Sequence, residues 1–396
     1  MKAAIIGCGR IGCGFAGQLL SAAGYELVFL ARDPAMVAHL NRLACYRVRL
    51  ANGREQTEYT VSGVRAVDTA DRAASVAVLA AADVIVTAVG ATNLAGVAGL
   101  IADALRVRAS AVNIFAFENL ADGGATLRSA VAAHLPEGFA LERFGFSGTL
   151  VSRAVTQRLG SPVDDEALVF VGDPPASFVV DGPHLVDPIP AIASMIVADN
   201  FGAWMRRKLY IFSAGHATCA YLGYLKGYRY IHSAIRDGEI RSAVVQAMSE
   251  AQKGIAALYG EAFAGGAAHL EEILDRFGNG AINDSISRVG RDPLRKLSSD
   301  DRLLGAARLA WDAGVHPREL LRAAAAAYCF SDPRDALAAE LQQQIRVTGM
   351  SPTLRRVSGL KASDRLGRTL VKRWRQLTDH WHAGSVLLSL NRVRWA

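Results

Sequence analysis

Over the first 150 residues, short apolar runs rich in β-branched residues alternate with Ala/Leu-rich stretches of helical period: Ala3–Ile6, Gly12–Ala23, Leu27–Leu30 and Met36–Leu43. This alternation predicts βαβ units on a parallel sheet. Val84–Val89 and Val112–Ala116 read as further strands, and Gly145–Val180 as an irregular, turn-rich stretch with strands such as Ala167–Val171. The Pro-containing segment Asp181–Pro190 reads as a hinge. Beyond Ala191 the pattern changes to long helical segments, Ser194–Ala220, Gly238–Tyr259, Ala267–Phe277, Leu303–Ala313 and Pro317–Cys329. The predicted organisation is a doubly wound parallel sheet in residues 1–185, a mostly α-helical domain in 191–350 and a tail in 351–396.

With 396 residues, 51% hydrophobic and 20% charged, the chain has the composition of a folded protein of about two domains. The opening apolar run breaks at Gly7, too soon for a signal peptide or membrane span, and the longest apolar region, Ala73–Leu105, is interrupted by Asp83, Gly90, Asn93 and Asp103. No export or membrane insertion is expected. Cys8, Cys13, Cys45, Cys219 and Cys329 show no Cys-x-x-Cys spacing, so no metal site and no disulfide framework is expected, which fits a reducing cytoplasm.

The net charge of +7 is unevenly placed: Arg355–Ala396 carries ten Lys/Arg against two Asp, and the body is nearly balanced. Lys372-Arg373-Trp374-Arg375 and Arg392-Val393-Arg394-Trp395 interleave cations with tryptophan. That chemistry suits a polyanion, but a solvated helix docking its Leu and Trp side chains on the body explains the same residues and is favoured over nucleic-acid binding.

Ala3–Ile6 runs into Gly7-Cys8-Gly9-Arg10-Ile11-Gly12, then Gly14 and a helical stretch. The G-x-G-x-x-G pattern therefore stands in the strand-turn-helix context of a Rossmann-type dinucleotide site, where glycines permit the tight turn and the close approach of a pyrophosphate to a helix N-terminus. After Phe29-Leu30 the chain reads Ala31-Arg32-Asp33. A small residue followed by arginine suits a ribose 2′-phosphate and favours NADP over NAD, with Asp33 within reach of the ribose as the alternative. Ala88, Val89 and Gly90 end one strand and are expected to approach the cofactor; Asn119, after the Val112 strand, is a candidate for orienting nicotinamide or substrate, or a turn residue.

In Asp199–Gly223 the polar residues Lys208, Ser213 and His216 stand among Leu209, Ile211, Phe212 and Ala217. At roughly 100° per residue, His216 falls roughly 80° and Ser213 roughly 140° from Lys208, one face of a helix that Gly215 opens to close approach. A buried lysine with a lowered pKa can take the proton of an alcohol while hydride leaves for a nicotinamide.

Taken with Arg288-Val289-Gly290-Arg291-Asp292-Pro293-Leu294-Arg295-Lys296-Leu297 and Asp301-Arg302-Leu303, this segment resembles the long-chain polyol (mannitol) dehydrogenase family, closest to its mannitol-1-phosphate 5-dehydrogenase branch. The resemblance spans roughly residues 1 to 330. It implies metal-independent interconversion of a polyol or sugar phosphate and its ketone, with a K-x4-N-x2-H helix in which lysine is the general acid/base, asparagine polarises the reacting oxygen and histidine binds hydroxyls. Lys208 and His216 match, and Ser213 stands in the asparagine position, where a shorter, rotatable hydroxyl gives a weaker donor. Ala31-Arg32 departs from the family's ribose-binding aspartate, and Gly148 and Ser152 stand where acidic residues are common. The resemblance places Arg288 and Lys296 at the substrate, and Asn119 and Asn200 are expected to line it with them; ion pairs with Asp284, Asp292, Asp300 and Asp301 are the alternative for Arg288 and Lys296 and the favoured reading of Arg291 and Arg295. The expected activity is oxidation of a polyol or sugar phosphate; the Ser213 departure also admits a redox-neutral dehydratase or epimerase that retains its dinucleotide. A non-catalytic dinucleotide sensor is disfavoured by Lys208 and His216. Oligomeric state is not legible.

Overall fold

The computed structural model describes residues 1–53, 55–120 and 122–388, with side chains through 379 in the last helix. The chain divides into two compact units, Met1–Met205 and Arg206–Ala396.

The first unit contains twelve strands: β1 (Lys2–Ile6), β2 (Glu26–Ala31), β3 (Cys45–Ala51), β4 (Gln56–Ser62), β5 (Arg65–Asp68), β6 (Val84–Thr87), β7 (Val112–Ala116), β8 (Phe144–Val151), β9 (Val155–Leu159), β10 (Val169–Gly172), β11 (Phe178–Asp181) and β12 (Met195–Ala198). Eight form one sheet in the order β12-β11-β8-β7-β6-β1-β2-β5. From β8 through β5 every pairing is parallel, as crossover helices between apolar strands require; β11 then runs antiparallel to β8 and parallel to β12. β1, β6 and β7 are buried almost throughout, so their continuous apolar runs meet protein on both faces.

The turn-rich region supplies much of a second sheet, β4-β3-β10-β9. It packs against the helix after β1. At Gly14 a side chain would strike Val155 Cγ1 at 2.8 Å and Phe170 Cβ at 3.0 Å, so this glycine sets how close the small sheet can come. Tyr46, Phe29, Phe170 and Phe15 fill the space between.

Two elements differ from the sequence pattern. Residues 181–190 form the crossover that carries the chain from β11 to its parallel neighbour β12, so this segment lies inside the first unit. Ser194–Ala220 is not one helix: Met195–Ala198 is a strand, and the helix begins at Phe201, where Asn200 caps it by accepting from the Ala203 amide at 3.0 Å. Ile196 and Val197 satisfy a short apolar run in either conformation, which is why periodicity did not separate them.

The second unit is helical. Gly238–Tyr259 and Ala267–Phe277 run over the predicted residues, and Ala323–Ala327 are fully buried. The helices Met350–Ser358 and Arg365–Leu388 belong to it: Leu354, Leu370 and Val371 are buried in its core, Trp374 and Leu377 pack against that core, and Arg365 lies 4.7 Å over the Trp311 ring. Arg355, Arg368, Lys372 and Arg375 are exposed. Arg392–Trp395 lies outside the described residues. Among the described residues no helix is long and apolar enough to cross a membrane.

Candidate active site

The turn after β1 uses its three glycines differently. Gly7 has φ +107° and lies against the Ala88 carbonyl, which a side chain would approach to 2.6 Å. Gly12 is closer still: its Cβ would sit 1.9 Å from the Gly7 carbonyl oxygen, so the helix can start against the turn only without a side chain there. At Gly9 a Cβ would meet nothing within 4 Å. One glycine makes the turn, one packs helix on strand, and the middle one faces open space where a pyrophosphate can approach the backbone. The residues present therefore fit a dinucleotide. Arg10 turns its guanidinium to the Thr156 carbonyl at 3.0 Å, and Ile11 packs partly buried against the core.

Ala88–Gly90 follows β6, which lies beside β1 with Thr87 opposite Ile6. Gly90 has φ +89°. The loop is held by a residue outside the sequence-stated candidates: buried Glu118, at the end of β7, accepts from the Thr87 hydroxyl at 2.7 Å and from the Val89 amide at 2.9 Å. Its signal in the sequence was only a charge closing an apolar strand. Asn119 is exposed in the turn beyond it. At the end of β2, Arg32 is exposed, and Asp33 Oδ1 accepts from the Ala35 amide at 3.0 Å as the N-cap of the helix Pro34–Leu43.

In the second unit, Lys208–Ser213 is a π-helical turn continuing into the α-helix Ala214–Leu225. A π-turn bonds residue i to i+5 and commonly marks a functional site. It corrects the α-helical wheel: more residues per turn rotate Ser213, and His216 with it, back toward Lys208. Gly215 makes room for Met248 of the helix Gly238–Tyr259, whose side chain a Cβ would approach to 2.6 Å. Tyr210 donates to the Asp300 carbonyl at 3.1 Å and Tyr221 to the Gly290 carbonyl at 2.9 Å, tying the segment to the loops that carry the arginines.

Lys208 is partly buried. Loss of solvent, reinforced by the charges of Arg276 and Arg302, lowers its ammonium pKa to about 8. Arg276 lies 4.6 Å over the Phe212 ring; Arg302, 15% exposed, places Nε 2.6 Å from Asp301. His216 stacks on Phe277 with centroids 4.9 Å apart, and its Nε2 lies 3.2 Å from Asp284 Oδ2. Burial holds the imidazole below its ordinary pKa despite that neighbour, whereas the contact with His216 and, after it, the Arg288 fork outweigh burial at Asp284 and keep its carboxyl ionised, down to about 2. With burial holding His216 below its ordinary range and Asp284 ionised, the pair is a neutral imidazole against a carboxylate that Arg288 also holds.

The substrate candidates are placed unequally. Arg288 puts Nε and one terminal nitrogen on Asp284, both at 2.6 Å. Lys296 is buried, donates to the Arg291 carbonyl, and is lowered to about 7 by burial and by Arg302 and Arg295. Arg295 pairs with Asp292 at 2.8 Å and Asp301 at 3.2 Å. Asn200 belongs to the first unit as a helix cap. The sequence offered Asp284 only as an ion-pair partner of the arginines and Arg302 only within Asp301-Arg302-Leu303; that they serve His216 and Lys208, tens of residues away, is announced by no spacing. Among the described residues no group of three or more His, Cys, Asp or Glu could hold a metal.

A glycine turn fit for a dinucleotide on a parallel sheet, followed by a separate helical unit, is the architecture of a class of nicotinamide-dependent oxidoreductases. The family profile described as the Mannitol dehydrogenase Rossmann domain matches residues 1–194, and that described as the Mannitol dehydrogenase C-terminal domain matches residues 200–384. The chain belongs to the mannitol dehydrogenase family and is an oxidoreductase of it. It is 37% identical to the mannitol-1-phosphate 5-dehydrogenase of Brevibacillus brevis over 96% of this chain and 99% of that one, and 33% identical to the enzyme of the same name from Bacillus licheniformis over 94% and 99%. Its fold matches Pseudomonas fluorescens mannitol 2-dehydrogenase, solved with NAD and D-mannitol, with TM-score 0.75 and 17% identity over 99% of this chain and 95% of that one. It also matches a D-sorbitol dehydrogenase, with TM-score 0.70 and 16% identity over 90% and 95%.

Proposed function

We propose that the protein interconverts a secondary alcohol and the corresponding ketone of a polyol phosphate, with Lys208 as the general acid/base. The observation that carries this reading is the Lys208 ammonium, held at about 8 on a π-helical turn shared with Ser213 and leading to His216. A general base works best with a pKa near the operating pH. Gly7, Gly9 and Gly12, with Ala88–Gly90 alongside, would hold a nicotinamide dinucleotide, which would supply the hydride acceptor when bound. In the oxidation direction the neutral Nζ takes the hydroxyl proton, the Ser213 hydroxyl donates to the oxygen as charge builds on it, and His216 binds a further hydroxyl. In reduction the ammonium returns that proton.

The phosphate assignment rests on charge and on the names of the relatives. Arg276 and Arg302 bring their charge to Lys208, and arginine forks suit phosphate oxygens. Initial rates with D-mannitol 1-phosphate and with D-mannitol, followed by nicotinamide absorbance, test it: a kcat/KM at least ~10²-fold higher for the phosphate ester supports the reading, and equal values overturn it.

For the dinucleotide, exposed Arg32 and the engagement of Asp33 in a helix cap favour NADP. This preference rests on Ala31–Asp33 alone, since the mannitol 2-dehydrogenase complex holds NAD. If it is right, Arg32→Ala weakens NADPH binding ~10-fold and leaves NADH binding unchanged. Ser213, in place of the family's asparagine, supports one second reading, a redox-neutral reaction on a retained dinucleotide. Product formed without a proportional absorbance change, by a protein purified with dinucleotide bound, would select it. The chemistry is that of a small-molecule enzyme, for which a cytoplasmic location is proposed.

A further inference from the structure

We propose that Asp284 is a positioning residue that fixes which nitrogen of His216 meets the ligand: its carboxylate holds the ring with the proton on Nε2 and leaves Nδ1 as an acceptor for a ligand hydroxyl. The inference rests on the reading of His216 as a hydroxyl-binding group and adds the direction of that hydrogen bond. Asp284 is 7% exposed, and its main chain is pinned independently of its side chain. The Ile231 amide donates to its carbonyl at 2.9 Å, Tyr230 and Ser285 form an isolated antiparallel bridge beside it, and the Ile286 amide donates to the Arg229 carbonyl at 3.0 Å. The carboxylate is thus delivered to a fixed place.

There its oxygens are shared. Oδ1 accepts from Arg288 Nε at 2.6 Å, and Oδ2 accepts from an Arg288 terminal nitrogen at 2.6 Å while lying 3.2 Å from His216 Nε2. An ionised carboxylate is acceptor-only, so a neutral imidazole at that distance must present Nε2–H, and its single proton is then spent. Phe277, stacked at 4.9 Å and 15°, resists rotation of the ring that would exchange the nitrogens. The remaining nitrogen has a lone pair and no proton. It accepts from a hydroxyl and gains nothing from a carbonyl or ether oxygen. The same carboxylate aligns the Arg288 fork, so one buried residue presents an acceptor and a cation side by side.

The test is ¹⁵N NMR of the histidine ring nitrogens in the full-length chain, with the His216 signals assigned by their loss in His216→Gln. The expected result from pH 6 to 8 is a protonated Nε2 and an unprotonated Nδ1. In Asp284→Asn the preference for that tautomer is lost, and kcat/KM for the polyol phosphate falls ~10- to 100-fold, with Asp284→Glu restoring part of both. A wild-type ring protonated on Nδ1, or an unchanged tautomer in Asp284→Asn, overturns the proposal. If Asp284→Asn does not fold, the wild-type spectrum decides alone. Because the spectra need no substrate, failure to turn over any polyol would count against the proposed function and not against this assignment.

Discussion

Among the described residues the chain has two π-helical segments, Gly12–Gly17 in the first unit and Lys208–Ser213 in the second, and each lies at a candidate functional position. They do their work in opposite ways. The first begins at the end of a backbone site: in the turn before it Gly7 lets the chain close and Gly9 faces open space, and Gly12, its first residue, lets the helix pack on that turn. The second presents side chains whose protonation states are set first by burial and then by Arg276, Asp284, Arg288 and Arg302, from distant stretches of sequence. A backbone site is specified locally and a side-chain site globally, so substitutions should affect the two in different observables.

The largest separation is expected from Lys208→Ala. Removing the proposed general base should lower kcat ~10²- to 10⁴-fold, while dinucleotide affinity, assigned by the same proposal to the glycine turn of the first unit, stays within ~2-fold of wild type. Stopped-flow or steady-state turnover and a fluorescence titration, made on the same sample, check both halves. Turnover within ~10-fold of wild type would remove Lys208 from the chemistry.

The two glycines sharpen the other side. Gly12→Ala puts a methyl 1.9 Å from the Gly7 carbonyl, where backbone must move, and should cost several degrees of melting temperature as well as ~10²-fold in dinucleotide binding. Gly9→Ala meets no protein atom within 4 Å, so it should leave the melting temperature unchanged and still weaken the dinucleotide ~10-fold. Loss of binding without loss of stability is what distinguishes a ligand-facing glycine from a packing one.

These contrasts explain what could be read in advance. Gly7, Gly9 and Gly12 announce themselves because the strand, the turn and the helix are contiguous, and the parallel sheet followed from apolar runs at βαβ spacing. Lys208 and His216 were legible as polar residues in an apolar helix. The link from Asp284 to His216 was not, because it exists only once a bridge between Tyr230 and Ser285 has folded a loop beside the helix that carries His216. Glu118 was hidden similarly: a charge at a strand end gives no hint that it will clasp Thr87 and Val89 on the neighbouring strand and loop. The helical wheel was offset because an inserted π-turn leaves no mark in hydrophobic period.

The pH profile tests the electrostatic half of the comparison. Oxidation needs Lys208 neutral, so kcat/KM for the alcohol should rise tenfold per pH unit below about 8 and level off above it; reduction needs the ammonium and should fall as pH passes about 8. Arg276 and Arg302 both push that value down, so Arg302→Gln should move the inflection to higher pH. An inflection that stays in place would mean that Arg302 contributes nothing and that burial and Arg276 set it.

The smallest effect is expected at Ser213, and it bears on how far the second site has departed from its relatives. Serine reaches less far than asparagine and rotates freely, so its hydrogen bond to a developing alkoxide is weaker than that of an amide held by its own length. The π-turn brings Ser213 toward the Lys208 face without lengthening it. Ser213→Ala should therefore lower kcat by ~10-fold or less, well short of the ~10²- to 10³-fold typical of a strong oxyanion donor. Ser213→Asn should raise kcat for a mannitol phosphate a few-fold if the surrounding site still fits that substrate. A fall in its place would show that the site has been reshaped around serine, and that the substitution selects a different polyol rather than tuning the same reaction.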